Sequence, residues 1–355
     1  MDKKLRIAIV GAGGIANSAH APGYLNMDNV EIVGVCDIIK ERAEKLAEKL
    51  GAGFVCENYK ELFEIEGLDA IDICTPNYLH SVIAVDALNR GFHVFCEKPD
   101  AISVEEAEKM KAAAEKSGKT LMVMRNNRYL GASSYLKQFI ADGKMGNIYA
   151  ARCGWQRRRG IPGKGGWFTT KEQSGGGPLI DLGVHMIDLT MWLMGNPAPV
   201  SVSGSTYCKF ADNDVVDSVH SAFGTKNDDG IFDVEDLAMG FIKFDNGSCM
   251  QIEFSWASNI EKEQRFFEIR GEKAGAQWYS TDDKLKIFSE EYGNTVDINP
   301  NVTTPVQIHE ANLRHFADVI LNGAEPMFVP QQGVNMIKIL EAMYKSAQTG
   351  QEVRF

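Results

Sequence analysis

The chain has 355 residues, of which 44% are hydrophobic and 24% charged, enough apolar material for two cores and too much for a largely disordered protein. Its 48 acidic residues outnumber 37 basic ones, and a formal net charge of −11 offers no global field to gather nucleic acid. No apolar run is long enough to span a bilayer, and glycines interrupt the opening MDKKLRIAIVGAGG too soon for a signal peptide, so a cytoplasmic protein with neither a membrane nor a nucleic-acid partner is expected. In chain order, LRIAIVG (5–11), VEIVGVCD (30–37), LDAIDICT (68–75), FHVFCE (92–97) and TLMVMR (120–125) predict strands. Their near-continuous Val/Ile character suits a parallel sheet buried on both faces. Helices are predicted over 14–26, 39–50, 78–90 and 103–117. Gly51, Gly91 and Gly118 stand where C-terminal caps belong, and Ser103 with Glu106 forms a capping box. The alternation predicts right-handed crossovers and a doubly wound sheet.

After about residue 125 the pattern changes. A helix near 132–142 and a strand at 147–156 precede the loop QRRRGIPGKGGWF, and a single helix is predicted near 178–194. From 198 to 290 the chain alternates strands with turns, and Asp245-Asn246-Gly247 marks a hairpin. Two helices near 307–322 and 330–348 close the chain. The prediction is therefore α/β: a doubly wound parallel-sheet domain over 1–125, then an α+β domain over 126–355 with a large, mostly antiparallel open sheet, the last helix packing back on the first domain. Seven cysteines lie far apart without a CxxC pair, which suggests neither a disulfide framework nor a zinc knuckle. Cys36, Cys74 and Cys96 end apolar runs and read as small hydrophobes.

Gly11-Ala12-Gly13-Gly14-Ile15-Ala16 reads GxGxxA between a strand and a helix, the setting in which backbone N–H groups receive a pyrophosphate. Gly11 permits the turn, Gly13 permits phosphate approach, and Ala16 permits close helix–strand packing. Asp37 ends the second strand at the spacing of an acid that binds adenosine ribose hydroxyls and repels a 2′-phosphate. Ile38 and Ile39 follow it instead of arginine, which favours NAD over NADP.

Thr75-Pro76-Asn77-Tyr78-Leu79-His80 and Glu97-Lys98-Pro99 follow later strands, at the strand ends where open α/β sheets build sites. Pro76 and Asn77 suit the nicotinamide end of the cofactor. Lys98 is placed to exchange a proton with a hydroxyl, with a solvated Glu97–Lys98 pair as the plain alternative. His80, on a first helical turn, reads as structural ahead of catalytic. In SGGGPLIDLGVHMID (174–188), Pro178 suits a first helical turn, and the glycines are expected to let backbone approach a ligand. Asp181 and His185 are four apart on one predicted helix face, with Asp188 on its flank. They form an acid/base unit, a helix-stabilising pair or part of a metal set; no metal is expected, because no Cys/His cluster accompanies them.

GAGGIA, Asp37, TPNYLH, CEKP and GGGPLIDLGVHMID, in this order over nearly the whole chain, resemble the Gfo/Idh/MocA oxidoreductases, the glucose–fructose oxidoreductase and inositol dehydrogenase group. The resemblance implies a Rossmann domain, a C-terminal α/β domain used for homodimer or homotetramer contacts, and NAD(P)-dependent oxidation of a hydroxyl on a sugar, cyclitol or glycoside. By motif it implies that Lys98, Asp181 and His185 are catalytic, and that Thr75, Pro76, Asn77, His80, Glu97 and Trp167 join the glycine turn around the cofactor. Lys98, Arg125, Asn126, Arg157, Trp167, Asp181 and His185 are the expected substrate contacts, Arg128 lying beside them at the domain junction. The run Arg157-Arg158-Arg159 departs from the plainest members; its guanidinium forks suit a substrate carboxylate or phosphate, an oligomer interface, or acidic surface across the cleft. Two other functions stay open: redox-neutral glycosidase, lyase or epimerase chemistry through a transient keto-sugar, and a silent dinucleotide sensor.

Overall fold

The computed structural model describes residues 4–355. In chain order its main elements are β1 (Leu5–Val10), a π-helical turn (Ala16–His20) running into α1 (Ala21–Leu25), β2 (Val30–Cys36), α2 (Lys40–Leu50), β3 (Phe54–Cys56), β4 (Ala70–Ile73), α3 (His80–Asn89), β5 (His93–Cys96), α4 (Val104–Ser117) and β6 (Leu121–Val123). There follow α5 (Gly131–Ala141), β7 (Ile148–Gln156), α6 (Lys171–Ser174), α7 (Pro178–Asp181), α8 (Gly183–Leu193), β8 (Pro199–Tyr207), β9 (Leu237–Phe244), β10 (Cys249–Ser255) and β11 (Gln264–Gly271). The chain closes with β12 (Ala274–Tyr279), β13 (Lys284–Glu291), β14 (Asn294–Ile298), α9 (Ile308–Asn322), α10 (Pro330–Thr349) and β15 (Val353–Arg354). Two compact units result: one runs to Asn126 and includes Val306–Val334, the other comprises Asn127–Pro305 and Asn335–Phe355. This division puts α9 and only the first turn of α10 with the first unit.

The first unit holds a six-stranded parallel sheet in the order β3-β2-β1-β4-β5-β6. The order reverses between β1 and β4, and ligands of open α/β sheets bind outside the strand C-termini at such a point. Ile7, Ile9, Ile71, Ile73, Val94 and Phe95 are wholly buried, as strands covered on both faces require. The sequence pattern misses β3, an edge strand too short to show a period. The predicted first helix forms with a π-helical turn in it, because Pro22 has no N–H with which to continue the regular ladder. Gly51 and Gly118 take the left-handed cap, and the Ser103 Oγ accepts the Glu106 N–H at 3.3 Å.

The second unit holds a nine-stranded sheet, β14-β13-β12-β11-β7-β10-β9-β8-β15, antiparallel except for the parallel β7/β10 pair. Alternation along β9 turns Ala238 and Ile242 inward while Met239 and Phe241 are exposed. The hairpin at Asp245–Gly247 joins β9 to β10 as predicted. The single helix predicted near 178–194 is broken at Leu182 into α7 and α8. A long excursion, 208–236, separates β8 from β9. Among the described residues no helix is long and apolar enough to cross a membrane.

Candidate active site

In the first unit, four strand ends assemble the predicted residues. Gly11 has φ +98°, and a Cβ there would stand 2.6 Å from the Cys74 carbonyl oxygen, so adjacent strand ends demand glycine. Gly13 and Gly14 differ: a Cβ on either would meet no heavy atom within 4 Å. Their surroundings are open, the cradle a pyrophosphate needs at the start of the helix carrying Ile15 and Ala16. Asp37 accepts the Ala12 N–H at 2.7 Å and the Ile39 N–H at 2.8 Å, which fixes its carboxylate beside the glycine turn with lone pairs left on both oxygens. Thr75 Oγ1 and Asn126 Oδ1 are buried without a hydrogen-bond partner among the described residues. Buried polar atoms in folded proteins are normally satisfied, so these two leave hydrogen-bonding capacity for a polar ligand at the strand ends. Open glycines, an anchored acid and orphaned polar atoms together fit a dinucleotide.

Pro76 and Lys98 are half-buried, Asn77 and Glu97 buried. His80 is wholly buried between two carbonyl oxygens, with Nδ1 2.7 Å from Pro99 and Nε2 2.9 Å from Thr75. It therefore braces the loops carrying Thr75 and Lys98, and its place among direct cofactor contacts is corrected accordingly. Arg125 is corrected likewise: its guanidinium is ion-paired with Asp100, lies over the Phe328 ring and is 3% exposed, so it is unsuited to gripping substrate. Asn126 donates to His309 Nε2 at 2.9 Å. His309, from α9, is a residue the sequence reading does not single out; burial holds its pKa below the ordinary value, and as an acceptor from Asn126 it is the neutral imidazole. Nothing local in the sequence ties α9 to β6.

His20 likewise carries no sequence signal. It is wholly buried, its Nδ1 lying 2.7 Å from Asp72 Oδ2 and its Nε2 2.9 Å from Glu97 Oε1. Burial opposes the charged ring, yet the Asp72 carboxylate prevails and the pKa stands well above its ordinary value. Glu97 is pushed up by burial but drawn down further by His20, to about 2. His20, Asp72 and Cys74 are also the one grouping of metal-type side chains among the described residues. A separation of 2.7 Å is that of a hydrogen bond; two ligands on one tetrahedral zinc stand roughly 3.3 Å apart. Burial pushes the Cys74 thiol up to about 12, so it holds its proton.

In the second unit Asp181 ends α7 and His185 lies in the first turn of α8, both half-buried. Trp256 Nε1 donates to Asp181 Oδ2 at 3.0 Å, and the His185 ring packs on Trp155 at 5.9 Å. Asp188 does not join them. It takes two bonds from Arg128, at 2.8 and 2.6 Å, and both are buried, which removes Arg128 from the expected cleft lining and Asp188 from any metal set. The triple-glycine turn is corrected too. A Cβ on Gly176 would meet the Tyr344 hydroxyl and one on Gly177 the Glu235 carbonyl oxygen, so protein, and not ligand, fills the space these glycines leave. Glu235 accepts the Gly177 and Leu179 N–H groups at 3.0 and 3.1 Å, fixing the start of α7.

The arginine run, for which the sequence leaves substrate contact, an oligomer interface and contact with acidic surface all open, is engaged within its own unit. Arg157 is 4% exposed, bonds the Gly160 carbonyl and pairs with Glu263 at 3.6 Å. Arg158 pairs with Asp217 at 3.5 Å, and Arg159 donates to the Ser258 carbonyl and to Asn259. The Arg158–Asp217 pair and the Arg159 carbonyl, which accepts the Asp217 and Ser218 N–H groups, hold the excursion, from which His220 packs edge-on against Trp155 at 5.6 Å. His220 lies 3.4 Å from Glu263, and burial lowers its pKa. His185, Trp155 and His220 thus form one aromatic row. Trp167 stacks on Phe168 at 3.8 Å. A cavity of about 300 Å³ between the arginine loop and the excursion is lined by Arg159, Lys164, Phe210, Val215 and Val216, so of the residues singled out in the sequence only Arg159 of the arginine run borders it.

Comparison with known proteins agrees in both halves. A family model described as "Oxidoreductase family, NAD-binding Rossmann fold" matches residues 5–125, and one described as "Oxidoreductase family, C-terminal alpha/beta domain" matches 137–355. D-glucoside 3-dehydrogenase of Escherichia coli is 33% identical over 351 residues, 98% of this chain and 97% of that protein. The scyllo-inositol 2-dehydrogenase (NAD(+)) of Bacillus subtilis is 28% identical over 364 residues, 100% and 97% of the two chains. A solved structure of levoglucosan dehydrogenase in complex with NADH superposes with a TM-score of 0.84 over 99% of both chains; at 22% identity it bears on the fold alone.

Proposed function

The chain belongs to the Gfo/Idh/MocA oxidoreductase family, and from that premise we propose that it is an NAD-dependent dehydrogenase acting on a ring hydroxyl of an uncharged sugar or glycoside. The observation that carries the reading is the first-unit cradle, with open space over Gly13 and Gly14 beside an anchored Asp37. Gly11, Gly13, Gly14, Ile15 and Ala16 would hold the pyrophosphate, Asp37 the adenosine ribose, and Thr75, Pro76, Asn77 and Glu97 the nicotinamide end. Asp37 followed by two exposed isoleucines favours NAD over NADP. A nicotinamide held there would supply the hydride acceptor for the carbinol carbon.

The remaining work falls to side chains. Lys98 accepts the hydroxyl proton, His185 serves as a second base, and Asp181, held by Trp256, orients the substrate. Arg158 and Arg159 are already engaged within their own unit, which supports an uncharged substrate over a sugar phosphate or sugar acid. Similarity to D-glucoside 3-dehydrogenase over nearly the whole chain, at 33% identity, supports the same class. The exposed Met239 and Phe241 on the uncovered sheet face support a homodimer or homotetramer, and a cytoplasmic location goes with the reading.

The test follows the nicotinamide absorbance band as NAD or NADP is mixed with purified protein and a panel of hexoses, alkyl glucosides, inositols and sugar phosphates. Sustained NADH with a neutral glucoside is expected. Substrate loss without net NADH would replace the dehydrogenase by a redox-neutral enzyme, and preference for a sugar phosphate would overturn the uncharged class.

A further inference from the structure

We propose that His20 is a positioning residue for Lys98, acting through the Glu97 carboxylate that holds the Lys98 amide. The inference rests on the reading of Lys98 as the proton carrier. Three separate stretches meet in it: the π-helical turn carrying His20, β4 carrying Asp72, and the end of β5 carrying Glu97. Carboxylate oxygens only accept, so a ring lying 2.7 Å from one and 2.9 Å from the other donates from both nitrogens. The remaining oxygen of Glu97 accepts the Lys98 N–H at 3.1 Å. Behind the ring, the Tyr24 hydroxyl donates to Asp72 at 3.0 Å, Cys74 Sγ lies 3.4 Å from Nδ1, and Phe95 packs edge-on at 6.0 Å. Lys98, and His309 when it is protonated, also act electrostatically on Glu97. On the other side of Lys98, His80 holds the Pro99 carbonyl, so the loop is pinned before and after the lysine.

A chain of this kind is a poor route for protons. His20 is 0% exposed, and the low proton affinity of Glu97 keeps it anionic at neutral pH. Nor is it needed for cohesion, since an apolar cluster of the same shape is commonly as stable as a buried ion triad. What a doubly bonded imidazolium supplies is direction. Glu97 cannot rotate without breaking a charge-assisted bond, and the Lys98 peptide is held with it.

The test uses the full-length protein and two readouts. The first is a double-mutant cycle on turnover of the glycoside that gives NADH. Glu97→Gln and Asp72→Asn each leave one acid facing one cation, whereas His20→Gln strands two carboxylates and invites misfolding. A carboxamide offers one acceptor oxygen where the carboxylate offers two, so in Glu97→Gln either His20 or the Lys98 amide loses its partner. We expect Glu97→Gln to lower kcat roughly 10–100-fold, with KM for the glycoside within about threefold and the pH profile of kcat displaced. Asp72→Asn should follow in the same direction. On a Lys98→Ala background neither should lower turnover further.

The second readout needs neither cofactor nor substrate. Reductive 13C-methylation of the lysines gives a Lys98 resonance, assigned by its loss in Lys98→Arg, that should move to the position of an exposed lysine in Glu97→Gln. An unmoved resonance, or equal loss of turnover with and without Lys98, overturns the proposal. Full turnover in Lys98→Ala would instead overturn the proton-carrier reading, while the resonance still reports whether His20 and Glu97 hold the lysine.

Discussion

Replacing Gly11 by alanine puts a Cβ 2.6 Å from the Cys74 carbonyl oxygen at a backbone φ of +98°. A non-glycine residue in that region costs about 1–2 kcal/mol. Forcing the neighbouring strand end aside costs about 1–3 kcal/mol more. Together these give roughly 2–5 kcal/mol of lost stability, and at about 2–4 °C per kcal/mol the first unit should melt about 4–20 °C lower. Gly13→Ala meets no heavy atom within 4 Å, so its stability should stay within about 0.5 kcal/mol of wild type. Its defect should appear in the cofactor instead: a methyl group in the cradle should weaken NADH binding roughly 10–100-fold, about 1.4–2.8 kcal/mol. Calorimetry of the cofactor-free protein and fluorescence titration with NADH separate the two effects. Wild-type NADH affinity in Gly13→Ala would refute the pyrophosphate placement, and wild-type melting in Gly11→Ala would refute the steric argument.

Lys98→Ala should lower turnover by roughly 10²–10⁴-fold with little change in NADH affinity, measured by steady-state kinetics beside the titration. Asp37→Ala strands the Ala12 and Ile39 N–H groups and removes the charge that repels a 2′-phosphate. The ratio of NADP to NAD efficiency should therefore rise, and an unchanged ratio would show that cofactor choice lies elsewhere. His220→Ala removes one end of the aromatic row on Trp155 and should raise KM for the glycoside roughly tenfold, with NADH affinity unchanged. The ion triad also predicts the pH dependence of stability. Glu97 is depressed from 4.5 to about 2, so its contribution is complete above pH 4.5 and lost as pH falls toward 2. His20 is raised above 6.5, so its contribution is complete below pH 6.5 and lost as pH climbs through the raised value. Denaturant titrations across pH should show a flatter acid limb in Glu97→Gln; an acid limb parallel to wild type would contradict the assignment.

Much of the first unit is legible in the amino-acid sequence alone. Buried parallel strands announce themselves as continuous Val/Ile runs, helices as capped periodic stretches, and a dinucleotide turn as glycines at a strand end; all three signals are local. The Asp37 position and the strand-end loops of Thr75 and Lys98 follow from the same logic, because the fold places its chemistry where strands stop. β3 escapes because three residues carry no period.

Tertiary structure alone decided which partner each polar residue took. Gly13 and Gly176 look alike in the sequence, yet one faces open space and the other the Tyr344 hydroxyl. Arg157 reads as a substrate fork until Glu263, far along the chain, takes it up. Asp188 reads as a companion of His185 until Arg128 claims both its oxygens. His20 carries no motif, and its meaning appears only when Asp72 and Glu97 close on it from two other strands. The chain's pattern of apolar residues and glycines determines which elements form, since those forces act over a few neighbouring residues. A buried charge is satisfied by whatever packing brings within hydrogen-bond reach, and that distance is set by the fold and not by spacing along the chain.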